Sequence, residues 1–170
     1  MDTNSLHTDS TVHVFEKAGL GKAPFEFLGV EIRRYCPAPG VSFVGGACAY
    51  CYTGIVECCV IRSADGKQFI VGNECVKKTY DKGLINVCKT ALNAERRKAK
   101  HVKDDAKIAE LRAWVDDPAN FGLLDGTQSP HSGHTLLASA RWYLTHAGRH
   151  GCVWIYGHVK KALEQRKGAA

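Results

Sequence analysis

The spacing of three cysteines constrains this chain more than any other feature of its sequence. Cys48 and Cys51 form a Cys-x-x-Cys pair, and Cys75 follows after a stretch with the pattern of a β-hairpin. A Cys-x-x-Cys turn brings two sulfurs to one point, and a hairpin can return the chain so that a third cysteine joins them. Tetrahedral zinc takes ligands of this type and number, together with a fourth. The sequence therefore predicts one structural zinc ion bound by these three cysteines.

The use of the eight cysteines depends on the compartment in which the chain works. Residues 1–11 are polar and lack the basic and then apolar pattern of a secretory signal. No run of eighteen apolar residues is present, so no membrane span is expected. We therefore expect a cytoplasmic protein, in which cysteines are reduced and serve as metal ligands or buried apolar residues rather than as disulfides.

The hairpin between Cys51 and Cys75 decides which other side chains reach the zinc. Residues 56–61 form an apolar strand, Asp65-Gly66 is a strong signal for a two-residue turn, and residues 68–71 return. A two-residue turn places Cys58 opposite position 73. Because side chains alternate along a strand, this register puts Cys58 on the same face as Cys75.

The fourth zinc ligand is left with several candidates. Cys36 lies among prolines and a glycine, where metal binding explains a cysteine more readily than a free thiol does. Cys58 is on the favoured face but in the middle of an apolar strand, whereas Cys59 faces the opposite way and is expected in the core. We predict Cys36 as the fourth ligand, with Cys58, a histidine or water as the alternatives.

The predicted fold class is α+β, with N-terminal strands and a zinc-bound, treble-clef-like hairpin followed by a mostly helical body. We expect residues 1–24 to be poorly ordered, residues 25–83 to form the zinc-binding module, and residues 84–170 to form the helical body. Residues 116–134, rich in Asp, Gly, Ser and Pro, predict a loop in that body. Thr135 is then placed to cap the helix that follows.

Two segments of the chain resemble a known family. Residues 48–78, CAYCYTGIVECCVIRSADGKQFIVGNECVKK, and residues 135–164, TLLASARWYLTHAGRHGCVWIYGHVKKALE, are similar to small zinc-finger-like proteins of tailed bacteriophages and bacterial mobile elements. Tyr52 stands where that family has glycine in its knuckle, and His146 stands where it has asparagine. The resemblance implies a zinc-stabilised fold and a phage-like origin. It implies no particular activity, because most of these proteins have none assigned.

The net charge of +6 is concentrated in the helical part of the chain. Residues 76–113 hold eleven Lys and Arg against five Asp and Glu. The residues of this segment that we predict to contact nucleic acid are Arg96, Arg97, Lys100 and Lys103, because cations of this kind bind phosphates. The alternative is an ordinary solvated helix face, since acidic residues interrupt the run.

A second set of residues, near the C-terminus, has the composition of a protein interface. Aromatic residues and arginine are enriched at the centres of such interfaces. We therefore predict that a host protein or nucleoprotein complex binds through Arg141, Arg149, Trp154 and Tyr156.

Histidines are the only residues of the sequence that suggest an enzyme. His131 and His134 could hold a metal in a nuclease-like enzyme, but no carboxylate cluster accompanies them, as a zinc hydrolase would require. We therefore expect a non-enzymatic, phage-type accessory protein without a small-molecule substrate. It is expected to act on nucleic acid or on a nucleic-acid machine of the host, for instance as an inhibitor of a defence complex such as CRISPR.

Overall fold

The computed structural model describes residues 12–130 and 132–168, and the chain divides into two compact units after Arg96. The first unit contains all the described strands, and the second is helical. The predicted α+β class is therefore confirmed. The division falls inside a long helix rather than at residue 83, where the sequence analysis placed it. Among the described residues, no helix is long and apolar enough to cross a membrane.

The first unit is built on a three-stranded antiparallel sheet and two small ribbons. The strands are β1 (Phe25–Ile32), β2 (Arg34–Ala38), β3 (Val41–Val44), β4 (Gly46–Ala47), β5 (Gly54–Ile55), β6 (Glu57–Ser63) and β7 (Gln68–Val71). The sheet has the order β1-β6-β7, while β2 pairs with β3 and β4 pairs with β5. The β4–β5 ribbon begins next to β3 in the chain and leads directly into β6, so it positions the residues between its two strands beside the sheet.

The β6–β7 hairpin has a three-residue loop, and the two-residue turn predicted from Asp65-Gly66 is wrong. The Ser63 amide donates to the Lys67 carbonyl at 3.0 Å, which leaves residues 64–66 as the loop. Gly66 closes it with a φ of 84°, a left-handed conformation that glycine adopts without steric cost. The register is therefore shifted by one residue, and Cys59 lies opposite Val71.

The core of the first unit lies between the sheet, the helices α1 (Val14–Lys17) and α2 (Asn73–Lys77), and the start of α3 (Lys82–Asp116). Phe15 is fully buried there, and its ring meets those of Phe25 and Phe69 edge to face. Residues 12–24 are thus anchored to the core, although the sequence analysis assigned poor order to this segment. A four-residue helix carries too little periodicity to be recognised in the sequence. Residues 1–11 lie outside the described part of the chain.

The second unit packs the end of α3 with α4 (Phe121–Gly126), α5 (Leu136–His146) and α6 (Arg149–Gly168). The predicted loop at residues 116–134 contains α4 and a 3-10 turn (Pro118–Asn120), because its apolar residues also reach the core and Leu124 is fully buried. The predicted cap is confirmed: the Thr135 hydroxyl accepts the Ala138 amide at 3.2 Å.

Candidate metal centre

The turn between β4 and β5 holds two of the predicted zinc ligands. The Cys48 amide donates to the Thr53 carbonyl at 2.9 Å, and the Tyr52 amide donates to the Cys48 carbonyl at 2.8 Å. Tyr52 closes this turn with a φ of 61°, in the left-handed region that side chains other than glycine rarely adopt. The turn directs the side chains of Cys48 and Cys51 toward the same point.

Helix α2 supplies the third cysteine. Cys75 is the third residue of this short helix, which begins immediately after Gly72. The Ala49 amide donates to the Ile70 carbonyl at 2.8 Å, so the β4–β5 turn is tied to the end of β7 from which the helix starts. A side chain on Gly72 would approach the Ile55 side chain within 3.2 Å, which shows how closely β5 and the start of α2 pack.

The three sulfurs converge. The ligand atoms of Cys48, Cys51 and Cys75 all lie within 4.8 Å of one another, and the Cys51 and Cys75 sulfurs are 3.3 Å apart. Cys48 and Cys75 are buried, whereas Cys51 is exposed. The predicted convergence of the three cysteines is therefore confirmed, and together they could hold a metal ion. Because Cys51 is exposed, solvent reaches the site from that side.

The environments of Cys51 and Cys75 differ, and the crowding of their sulfurs favours binding of a cation. The Thr53 hydroxyl lies 3.4 Å from the Cys51 sulfur, and its hydrogen bond, followed by that of the Thr53 amide, lowers the pKa of Cys51 to about 6. Burial, followed by the two neighbouring sulfurs, raises the pKa of Cys75 to about 12. Ionised thiolates at this separation repel one another, and a bound metal ion removes that repulsion because it deprotonates and neutralises its thiol ligands.

An open groove of about 600 Å³ runs beside the sulfur cluster. Its charged lining residues are Arg34, Glu57, Glu74, Lys78 and Arg96. Arg96 donates to both carboxylate oxygens of Glu57, with a distance of 2.8 Å from Nε to Oε1. These hydrogen bonds are the main reason that the pKa of Glu57 lies below its ordinary value.

The other cysteines lie outside the three-sulfur cluster. Among the described residues, Cys36 does not join it, because β2 is exposed along its whole length and pairs only with β3. Cys58 is fully buried, and its sulfur lies 3.7 Å from the Val56 carbonyl oxygen. Cys59 lies in the core as predicted, where its thiol is in hydrogen-bond contact with that of Cys88. The structure therefore does not identify a fourth ligand.

The residues predicted to contact nucleic acid are all exposed on α3, but their surroundings differ. Arg96 forms the ion pair with Glu57 described above. The other three, Arg97, Lys100 and Lys103, lie further along the helix and do not contribute to this ion pair. Two side chains that act on predicted site residues were not found from the sequence: Glu57, which pairs with Arg96, and Thr53, which contacts Cys51. Only the position of Thr53 two residues after Cys51 is a local signal, since Glu57 and Arg96 are distant in the chain.

The residues predicted to bind a protein partner make contacts within the second unit. Tyr156 is buried, its hydroxyl donates to Glu110 at 2.7 Å, and its ring stacks on Trp114. Arg149 forms an ion pair with Asp105 at 2.9 Å. Arg141 lies over the ring of Phe121. The ring of Trp154 contacts those of Tyr143 and His158.

Only one member of the predicted histidine pair lies in the described part of the chain. His131 lies outside the described residues. His134 is exposed, at the side of a cavity of about 410 Å³ that Trp142 and Tyr143 also line. Within the described ranges, the only group of three or more potential metal-binding side chains is the cysteine cluster.

No protein-family model, no curated protein and no solved structure matches this chain.

Proposed function

We propose that this chain is a zinc-stabilised binding protein that acts on nucleic acid or on a nucleic-acid machine, and that it is not an enzyme. The observation that carries the proposal is the convergence of Cys48, Cys51 and Cys75. Tetrahedral zinc with bonds of about 2.3 Å places its thiolate sulfurs about 3.8 Å apart. The separations in this cluster, 3.3 Å between two sulfurs and at most 4.8 Å between any two, bracket that value.

A treble-clef-like arrangement is the form that we propose for this centre. Its support is the order of the parts: a Cys-x-x-Cys turn on a small ribbon, then a hairpin, then a cysteine at the start of a helix. One helical turn after Cys75, the chain has Lys78, which is not a zinc ligand at neutral pH. The candidates for the fourth ligand are therefore Cys58, a groove carboxylate and a water molecule, and substitution of Cys58, Glu57 or Glu74 tests each protein ligand.

The surroundings of the centre support binding rather than catalysis. A hydrolytic zinc site needs a group to activate water, and both carboxylates that line the groove are paired, Glu57 with Arg96 and Glu74 with Lys77. The exposed surface of α3 is rich in lysine and arginine, which suits a partner that carries phosphates. The resemblance to phage proteins extends the proposal to a host cytoplasm and to defence complexes as targets.

Metal content and stability test the zinc centre directly. Purified protein is expected to contain one zinc per chain by elemental analysis, and a chelator should lower its melting temperature. Cys75→Ser should lose the metal, whereas Cys152→Ser, a buried cysteine of α6 outside the cluster, should keep it. Metal-free protein with an unchanged melting temperature would refute a structural zinc.

Partner capture and a cleavage assay test the binding function. The tagged protein should enrich nucleic acid or nucleic-acid enzymes from a bacterial lysate, and nuclease treatment separates the two cases. Purified protein should leave DNA and RNA intact with Mg²⁺, Mn²⁺ or Zn²⁺. Reproducible cleavage that His134→Ala abolishes would overturn the proposal in favour of an enzyme.

A further inference from the structure

Helix α5 and the segment before it border a cavity in the second unit. The cavity has a volume of about 410 Å³, which lies within the usual range for small-molecule pockets. Ala138 and Ser139 lie one helical turn before Trp142, so these three side chains share a face of α5. The residues that line the cavity are Ser132, His134, Ala138, Ser139, Trp142 and Tyr143. All six belong to the same compact unit.

One wall of the cavity is an exposed aromatic ring. The side chain of Trp142 is 55% exposed. The ring of Tyr143 meets it edge to face, with centroids 5.2 Å apart, and the ring of His146 stacks on it at 5.5 Å. These contacts fix the orientation of the indole, and its exposed surface is available for stacking by a planar ligand.

The cavity offers hydrogen bonds but no side chain of fixed charge. The hydroxyls of Ser132 and Ser139 are hydrogen-bonded to each other at 2.8 Å, and Ser139 is buried. Each hydroxyl has further capacity to accept a hydrogen bond, and the imidazole of His134 adds two ring nitrogens. Among the described residues, no Lys, Arg, Asp or Glu lines the cavity. The part of a ligand that enters it should therefore be uncharged and polar at its edge.

The chain around the cavity is positively charged. From residue 126 to residue 163 it has four Lys and Arg and five His, but no Asp or Glu. Arg141 and Lys161 of this segment are exposed, and the other two cations pair with acids outside it, Arg149 with Asp105 and Lys160 with Glu164. The charge of this segment favours a ligand that carries negative charge outside the cavity.

We propose that this cavity binds an unpaired nucleobase, with Trp142 as the stacking surface. A nucleobase is planar and uncharged, and its edge carries donors and acceptors that hydroxyl and imidazole groups can pair with. The phosphates attached to the base remain in solvent, where the acid-free segment attracts them. The base comes from a free nucleotide or from a single strand, because a duplex keeps its bases stacked and paired. The inference rests on the proposed binding function, for which it specifies the partner, and it does not depend on the zinc.

Substitutions of Trp142 test the stacking surface. Trp142→Ala removes the ring, whereas Trp142→Phe retains an aromatic face. Tyr35→Ala is the matched control, because it removes an aromatic side chain that is 63% exposed in the first unit, away from the cavity. Fluorescence anisotropy with a labelled single strand of mixed sequence, at an ionic strength of about 0.15 M, gives the affinity of each variant. The melting temperature of each variant shows that it is folded.

The proposal predicts a specific order of affinities. Trp142→Ala should weaken binding of the single strand by about 5- to 150-fold, which is the range for a base stacked on an aromatic side chain. Trp142→Phe should recover most of this loss, and Tyr35→Ala should bind as the wild type does. The same strand annealed to its complement should bind more weakly, since its bases are no longer accessible.

Competition with free nucleotides distinguishes the two sources of the base. A mixture of the four nucleoside monophosphates that displaces the labelled strand would show that the cavity accepts free nucleotides. A strand that is not displaced by them, but is lost on Trp142→Ala, would show that the base must belong to a strand. Both results support a nucleobase as the ligand.

Two outcomes would overturn the inference. Equal affinity of the wild type and Trp142→Ala for the single strand would show that the indole does not stack on a base. Absence of binding of both the strand and the nucleotides to the wild type would reject a nucleobase as the ligand. If the wild type still captures a host protein from nuclease-treated lysate, the proposed function stands without this cavity. Failure to capture either nucleic acid or a nucleic-acid enzyme would instead reject the proposed function itself.

Discussion

Replacing Tyr52 with glycine should stabilise this protein. Tyr52 has a φ of 61° and is 84% exposed, so its ring contributes little packing while its backbone occupies the left-handed region. That conformation costs an L-residue about 1–2 kcal/mol, and glycine adopts it without this cost. Glycine also increases the entropy of the unfolded chain, which offsets about 0.5–1 kcal/mol of the gain. We therefore expect Tyr52→Gly to raise the free energy of unfolding by about 0.5–1 kcal/mol.

Urea unfolding at equilibrium measures this effect, with zinc-loaded and chelator-treated protein compared side by side. Tyr80→Gly repeats the test at a second site with nearly the same properties, since Tyr80 has a φ of 58° and is 86% exposed. Tyr35→Gly is the control. Tyr35 is 63% exposed in β2 with ordinary backbone angles, where glycine should destabilise by about 0.5–1 kcal/mol.

A loss of stability in Tyr52→Gly as large as that in Tyr35→Gly would contradict this prediction. That result would show that the exposed ring contributes more to stability than the left-handed backbone costs. A gain that disappears in chelator-treated protein would instead show that the turn adopts this conformation only when the metal is bound.

Three further changes probe the packing, the caps and the ion pairs. Leu124→Ala removes a fully buried side chain of the second unit and should cost about 2–5 kcal/mol in urea unfolding, whereas Leu124→Met should cost less than about 1.5 kcal/mol. Thr135→Ala removes the cap of α5 and should lower stability by about 1 kcal/mol, while Thr135→Ser should retain most of it. The hydrogen bonds from Arg96 lower the pKa of Glu57 in the folded protein. The carboxylate therefore contributes to stability at pH values above the ordinary glutamate pKa, and this contribution is lost as the pH falls through the pKa of Glu57 in the folded protein. Glu57→Gln should therefore cost up to about 1 kcal/mol at pH 7 and progressively less below pH 4, as measured by urea unfolding at both pH values; an equal cost at both would contradict the ion pair.

The convergence of three cysteines could be predicted from the sequence because their chemistry is local. Cys48 and Cys51 are brought together by a single turn, and only the return of one hairpin is needed to add Cys75. The strand register could not be predicted, since Asp65-Gly66 fits a two-residue turn and a three-residue loop equally well. Gly66 is the last loop residue in both cases, and the loop begins either at Asp65 or at Ala64; the hydrogen bonds between Ser63 and Lys67 decide for Ala64.

The roles of the C-terminal aromatic residues could not be predicted for a different reason. The composition around Tyr156 suits a helical core and a protein interface equally. Only the packing of its ring on Trp114 and its hydrogen bond to Glu110 show that this residue is used internally. The ion pair of Arg96 could not be predicted either, because its partner Glu57 lies 39 residues away in the chain. Contacts between distant segments carry this information, and a single sequence does not display them.

The three-residue loop of the β6–β7 hairpin tolerates a change of length better than a change of turn type. Deleting one residue between Ser63 and Lys67 would leave a two-residue turn between the same paired residues, so β7 would keep its partners on β6. A substitution that favours a two-residue turn at Asp65-Gly66 in the full-length loop would instead pair Ala64 with Lys67 and move β7 one position along β6. Because strand side chains alternate, that slip would turn Phe69 and Val71 away from the core and carry Cys75 away from the other sulfurs. The pairing of Ser63 with Lys67 is therefore a more restrictive inherited property than the number of residues between them.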